Sequence, residues 1–166
     1  MNCNLMRLLA TLFATLMLIA TMSCSRNKEG KNYQDVSDDD PVMNAAIAKA
    51  KATTDDFVKA FHAQKAGTTD FSVKKPYPTP NGEQEHMWIA VTEEKDGMLH
   101  GIVANEAEAT REVTNGQPVT LKLSEISDWK YTDGKKLVGG YTIRYFYDKM
   151  SPQEKQEFLK ESGMEM

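Results

Sequence analysis

The spacing of apolar residues changes from helical to alternating near Phe71, and that change decides the kind of fold available to this chain. From Pro41 to Gln64 the inward-facing candidates Met43, Ile47, Ala50, Thr54, Phe57, Val58 and Phe61 recur at steps of three and four. Such spacing lines one face of a helix, so it predicts an amphipathic helix of about six turns at 3.6 residues each. Asp40 followed by Pro41 supplies the start signal, and Gly67 follows the end. From Phe71 onward the period is two. Phe71 and Val73 alternate with Ser72 and Lys74, and Met87, Ile89 and Val91 alternate with His86, Trp88, Ala90 and Thr92. A helix followed by short strands joined by turns predicts an α+β domain, with the N-terminal helix packed on an antiparallel sheet.

The turns set the expected details. The run Pro76-Tyr77-Pro78-Thr79-Pro80-Asn81-Gly82 predicts a break after the first strand. Asp96-Gly97 predicts a two-residue hairpin with Lys95 paired to Met98. Counting outward sets Val91 opposite Ile102, Gly101 opposite Thr92 and Trp88 opposite Asn105. One face then carries Met87, Ile89, Val91, Ile102 and Ala104, and the other carries His86, Trp88, Ala90, Val103 and Asn105. Asn105 to Arg111 reads as a loop or short helical turn, and Asn115-Gly116 as another hairpin-like step. Val119 to Leu123 and Ile126 to Tyr131 bring the sheet to about five strands, with Asp133-Gly134 closing the last. Tyr141 to Met150 fits either a helix by spacing or a strand by its aromatic and β-branched content, and the spacing favours helix. Ser151-Pro152-Gln153-Glu154 is a capping-box pattern that predicts a short C-terminal helix from Pro152 to Ser162.

The amino terminus reads as a targeting segment. Arg7 precedes an uncharged apolar run from Leu8 to Ala20, shorter than the about 20 residues a bilayer requires, as in the apolar region of a secretory signal. It ends at Thr21-Met22-Ser23-Cys24, which resembles the cleavage motif of bacterial lipoproteins, although Thr21 and Met22 depart from its preferred Leu and small residue. The only two cysteines are Cys3 and Cys24, and removal of the first leaves the second without a disulfide partner. The expectation is a signal peptide over 1–23, a lipidated flexible linker over 24–39 with Cys24 as attachment point, and one α+β domain over 40–166. The polar composition of the linker supports this division, and the Asp38-Asp39-Asp40 run reads as a solvated stretch ending in a helix cap. Ser25 in place of Asp after the cysteine points by resemblance to the outer rather than the inner membrane, with the domain in the periplasm.

At 166 residues, 40% of them hydrophobic, the chain has material for one core. Its formal charge of −4 argues against nucleic acid as partner. Three histidines and no usable cysteine show no metal-ligand spacing. Gly139-Gly140 is a doublet and not a phosphate loop, and no Gly-x-Ser-x-Gly elbow exists. No cofactor is expected.

Four short motifs carry a resemblance. Glu85-His86-Met87-Trp88, Gly101-x-x-x-Asn105, Ile126-Ser127-Asp128-Trp129 and Gly139-Gly140-Tyr141-Thr142-Ile143-Arg144 occur in this order and resemble the bacterial family called domain of unknown function 2314, the YegJ-like proteins. The resemblance covers about Phe57 to Arg144 and implies a domain without naming a reaction. Within those motifs His86, Trp88, Asn105, Asp128, Trp129 and Arg144 are the ligand-binding candidates, since an aromatic supplies area while polar groups supply direction. The same residues also fit a core Trp and a His satisfying a backbone carbonyl. Asp128 could cap the following turn or pair with Arg144. Three functions follow as expectations. The first is an envelope lipoprotein that binds a protein or envelope ligand without catalysis. The second is an envelope-polymer hydrolase using His86 with Asp128 or Glu85, and the third is a toxin-immunity inhibitor.

Overall fold

The computed structural model describes residues 39–166. The expected signal segment, the Cys24 attachment and the linker before Asp39 lie outside the described residues. The elements are helices α1 (Pro41–Ala52) and α2 (Thr54–Ala63), strands β1 (Thr68–Pro78), β2 (Gln84–Lys95), β3 (Met98–Val103), β4 (Pro118–Lys122), β5 (Asp128–Asp133) and β6 (Lys136–Gly139), and helices α3 (Tyr141–Lys149) and α4 (Pro152–Ser162). A 3₁₀ turn over Leu123–Glu125 precedes β5. The six strands form one antiparallel sheet in the order β4-β3-β2-β1-β5-β6. No helix among the described residues is long and apolar enough to cross a membrane.

The expected six-turn helix is two helices. Thr53 breaks it, because its hydroxyl bonds the carbonyls of Lys49 and Ala50 at 2.9 and 3.2 Å, a side-chain bond that competes with the helical ladder. The Trp129 indole N–H then donates to the Ala50 carbonyl at 3.0 Å and to the Thr53 hydroxyl at 3.2 Å. At the other end Asp40 caps α1, accepting the amides of Val42 and Met43 at 2.8 and 2.9 Å. Phe57 of α2 meets Phe71 at 5.9 Å and Trp129 at 5.8 Å between ring centroids. These contacts seat the helix on β1 and β5. The core under the helices contains Val73, Met87, Ile89, Leu99, Leu121 and Trp129.

Three expectations about the sheet are corrected. It has six strands and not about five. The additional one is β6, whose Lys136–Gly139 run is too short to show a period. The first strand does not end at Pro76 but runs to Pro78. Lys74 turns its carbonyl toward β5, taking the Ser127 amide at 2.7 Å, and Pro76 and Pro78 share that direction. Register with β5 stops at Lys74, so the missing proline N–H groups face no strand.

The hairpin register also shifts. Lys95 pairs with Met98 as expected, but the register slips by one between Val91 and Glu93, so Val91 stands opposite Gly101 and Ala90 opposite Ile102. An extra residue inverts the alternation beyond it. Leu99 and Val103 therefore turn into the core, while Ile102 is 43% exposed. Glu94 comes round to the helix side, where it meets His62 Nε2 at 2.6 Å.

The Gly139-Gly140 doublet turns β6 into α3. A Cβ at Gly139 would lie 2.4 Å from the Trp129 carbonyl oxygen and 2.5 Å from its ring, and both glycines have positive φ. Tyr141–Lys149 is helical. Beyond α4, opened by its capping box and ended at Gly163, Glu165 returns to β6 and the turn before it through backbone bonds of 2.8 Å to Leu137 and Lys135.

Candidate binding face of the sheet

The two sides of the sheet have different chemistry. On the side away from α1 and α2, cross-strand register sets Ile102, Ala90, Ser72 and Lys130 in one row and Trp88, Lys74 and Asp128 in the next. His86 stands opposite Pro76 one row further on. Trp88 is half-buried. Lys74 Nζ lies 4.9 Å and Lys130 Nζ 5.6 Å from its ring centroid, so two ammonium groups share one indole.

Asp128 is 0% exposed. It lies beyond the hairpin Trp and serves the start of α3. One carboxylate oxygen accepts the amides of Trp129 at 2.8 Å and Tyr141 at 3.1 Å. The other accepts the amide and hydroxyl of Thr142 at 2.8 and 2.7 Å. Gly140 has no side chain to cap α3, and a carboxylate from β5 does so instead. Lys74 Nζ donates to the Thr142 hydroxyl at 3.1 Å. Burial raises the Asp128 carboxyl above its ordinary range, against the Thr142 hydrogen bonds that lower it. Burial also lowers the Lys74 amine, with Asp128 opposing. Lys130 is lowered by burial too, against the attraction of Asp70 and Asp128.

The other residues singled out from the sequence have internal partners. His86 Nδ1 lies 2.8 Å from the Ser127 hydroxyl, which donates to the Lys74 carbonyl at 3.2 Å. Asn105 accepts the Trp88 amide on its side-chain oxygen at 2.8 Å. It lies beyond β3, which ends at Val103, and there it replaces a strand carbonyl. Trp129 is 3% exposed, under α1 and α2. Arg144 does not pair with Asp128. Its Nε and Nη2 donate to the carbonyls of Gly139 at 3.1 Å and Leu137 at 2.8 Å and hold the β6–α3 turn.

Glu85 points to the helix side, opposite Tyr77. Its carboxylate takes the amides of Glu108, Ala109 and Thr110 at 2.8, 2.9 and 2.7 Å. These bonds hold its pKa low, against burial, the largest influence, which raises it. They strap the loop between β3 and β4 to the start of β2. Glu85 and Asp128 thus serve opposite faces and separate backbone segments. The structure brings together Trp88, His86 and Asp128 on one side but leaves Asn105, Trp129, Arg144 and Glu85 elsewhere: the slipped register sets Ala104 and not Asn105 opposite Trp88, and the Asn105 amide turns to Met87 Sδ at 3.6 Å.

Sequence reasoning missed Lys74, Lys130, Ser127 and Thr142. The alternation Ser72-Val73-Lys74 places Lys74 on the face away from the core, and Lys130 stands between two aromatics of β5. Only the order of strands makes them neighbours of Trp88. Farther along the same face, Thr92, His100, Ile102, Pro118 and Thr120 line a shallow depression of about 340 Å³.

Comparison with known proteins gives this domain a family. The chain is 38% identical over 105 residues to the uncharacterized protein YegJ of Escherichia coli (strain K12), covering 63% of this chain and 67% of that protein. It is 28% identical over 126 residues to a putative ankyrin repeat protein of Neisseria meningitidis serogroup B, covering 72% of this chain and 49% of that protein. No solved structure matches. The family model described as "Uncharacterized protein conserved in bacteria (DUF2314)" matches residues 40–166, the span of the α+β domain, and the chain belongs to that family.

Proposed function

We propose that this protein is a non-catalytic binding module of the bacterial cell envelope that meets its ligand on the open face of its sheet, around Trp88. The observation that carries the reading is a half-buried Trp with Lys74 Nζ at 4.9 Å and Lys130 Nζ at 5.6 Å, on the side of the sheet away from α1 and α2. A large flat side chain fixed in a strand and bordered by cations offers contact area at little cost in ordering. The acids nearest the motif residues support binding over hydrolysis. Glu85 accepts three backbone amides, and Asp128 accepts three amides and a hydroxyl. Neither is left to transfer a proton.

The test is a thermal-shift panel of envelope constituents, made of muropeptides, phosphatidylglycerol vesicles and acidic peptides, read against wild type and Trp88→Ala. Stabilisation of the wild type that disappears in a folded Trp88→Ala supports the reading. Equal stabilisation of both proteins overturns it.

The localisation half of the proposal rests on Leu8 to Ala20 followed by Ser23-Cys24. A lipid on Cys24 would hold the domain at the membrane surface, in the periplasm and on the outer membrane. Metabolic labelling with a fatty acid marks the wild type and leaves Cys24→Ala unlabelled. Equal labelling refutes the anchor.

A further inference from the structure

We infer that the ligand of this face carries an oxyanion, a phosphate or a carboxylate, held between the ammonium groups of Lys74 and Lys130 over the Trp88 ring. The inference rests on the open face being the binding face, and it adds the chemistry of what binds there.

An ammonium group has three donors. Lys74 uses one on the Thr142 hydroxyl. No hydrogen bond or ion pair of Lys130 Nζ falls among the described residues. No buried side-chain nitrogen or oxygen among the described residues lacks a hydrogen bond, and Lys130 is only part-buried, so its Nζ remains open to solvent. Two cations near one ring repel each other, and burial withdraws water from both. The acids that act on them do so from a distance. Asp128 is occupied by four donors, and Asp70 accepts the Thr69 and Thr132 hydroxyls at 3.1 and 3.3 Å. An oxyanion supplies what the pair lacks, namely several acceptors and a negative charge. Ala90 and Ser72 stand in the row beside Trp88, so small side chains border the place where such a group would lie.

The experiment follows the indole N–H resonance of Trp88 in the ¹⁵N-labelled full-length chain, identified by its loss in Trp88→Phe. The Trp129 indole, bonded to the Ala50 carbonyl, serves as internal control. Inorganic phosphate, pyrophosphate and acetate are titrated against wild type, Lys130→Gln and Lys130→Arg. The expected result is a saturable shift of Trp88 but not of Trp129, weakened about tenfold in Lys130→Gln, the loss of one charge-assisted hydrogen bond. Lys130→Arg is expected to retain the shift. Sedimentation with phosphatidylglycerol against phosphatidylcholine vesicles then names the source. A preference for the anionic lipid that Lys130→Gln loses assigns a lipid phosphate, whereas a shift with free phosphate and no vesicle preference assigns a soluble oxyanion, and each supports the inference. Equal shifts in Lys130→Gln and wild type overturn it. The absence of any shift with all three anions also overturns it. If a constituent of the thermal-shift panel still binds through Trp88 in that case, the open face stands as the binding face for a different chemistry.

Discussion

Replacing Asp128 should cost this domain more than replacing any other acidic residue described above. In Asp128→Ala the amides of Trp129, Tyr141 and Thr142 lose acceptors at 2.8, 3.1 and 2.8 Å, and the Thr142 hydroxyl loses one at 2.7 Å. The carboxylate is 0% exposed, so water does not readily take its place. An orphaned buried donor costs about 1–3 kcal/mol, and loss of a helix cap about 1 kcal/mol. The hydroxyl can rotate and the α3 amides relax toward solvent, so the lower end applies to each. The expected loss is about 3–5 kcal/mol, a large share of the about 5–15 kcal/mol typical of a whole domain. Asp128→Asn keeps one acceptor but turns an NH₂ toward donors, and should lose about 2 kcal/mol. Lys74 is held beside this carboxylate through Thr142. Adding Lys74→Met to Asp128→Asn should therefore cost less than the sum of the two single changes, because the double change leaves no buried charge without its counter-charge. Equilibrium urea unfolding followed by tryptophan fluorescence compares these four variants with the wild type. A loss below about 1 kcal/mol in Asp128→Ala would refute the argument that a β5 carboxylate caps α3.

The two tryptophans should separate. Trp129→Ala, in the core, should cost about 3–5 kcal/mol, whereas half-buried Trp88→Ala should cost about 1–2 kcal/mol, and similar losses in urea unfolding would contradict the assignment of faces. Gly139→Ala should destabilise by more than about 2 kcal/mol, since its Cβ would meet the Trp129 carbonyl at 2.4 Å with φ at 71°; an unchanged melting temperature would show that the doublet is replaceable. Asp40 accepts the Tyr145 hydroxyl at 2.6 Å, and this bond, with the Met43 amide, pulls its pKa from 3.8 to about 2. Its folded value is depressed, so its contribution is complete above 3.8 and is lost as pH falls toward about 2. Asp40→Asn should therefore flatten the acid limb of a stability–pH curve in that window, and an unaltered limb would dismiss the linkage.

The sequence by itself determined the helical run from Pro41 to Gln64 and the longer strands that follow it, because periods of 3.6 and two are properties of the local backbone that apolar residues must match. Asp40-Pro41 and Ser151 to Glu154 declared their helix starts, since caps act within a few residues. Asp96-Gly97 likewise fixed the inner pairs of its hairpin. What the sequence could not declare is anything that depends on a distant partner. The extra residue near Thr92 inverts the alternation of β2, and neither propensity nor period marks it. The break at Thr53 is completed by an indole N–H that arrives from β5. Asp128 was legible as a cap of the following turn, as a partner of Arg144 or as a catalytic carboxylate, and it became the cap of the distant α3 once Gly139 and Gly140 folded that helix back upon it. Trp88, His86 and Asn105 were legible as unusual residues in a strand and loop. The cations that give the Trp88 face its chemistry come from β1 and β5, and the strand order β2-β1-β5 is set by which apolar faces the helices cover, a decision made only when the whole core packs.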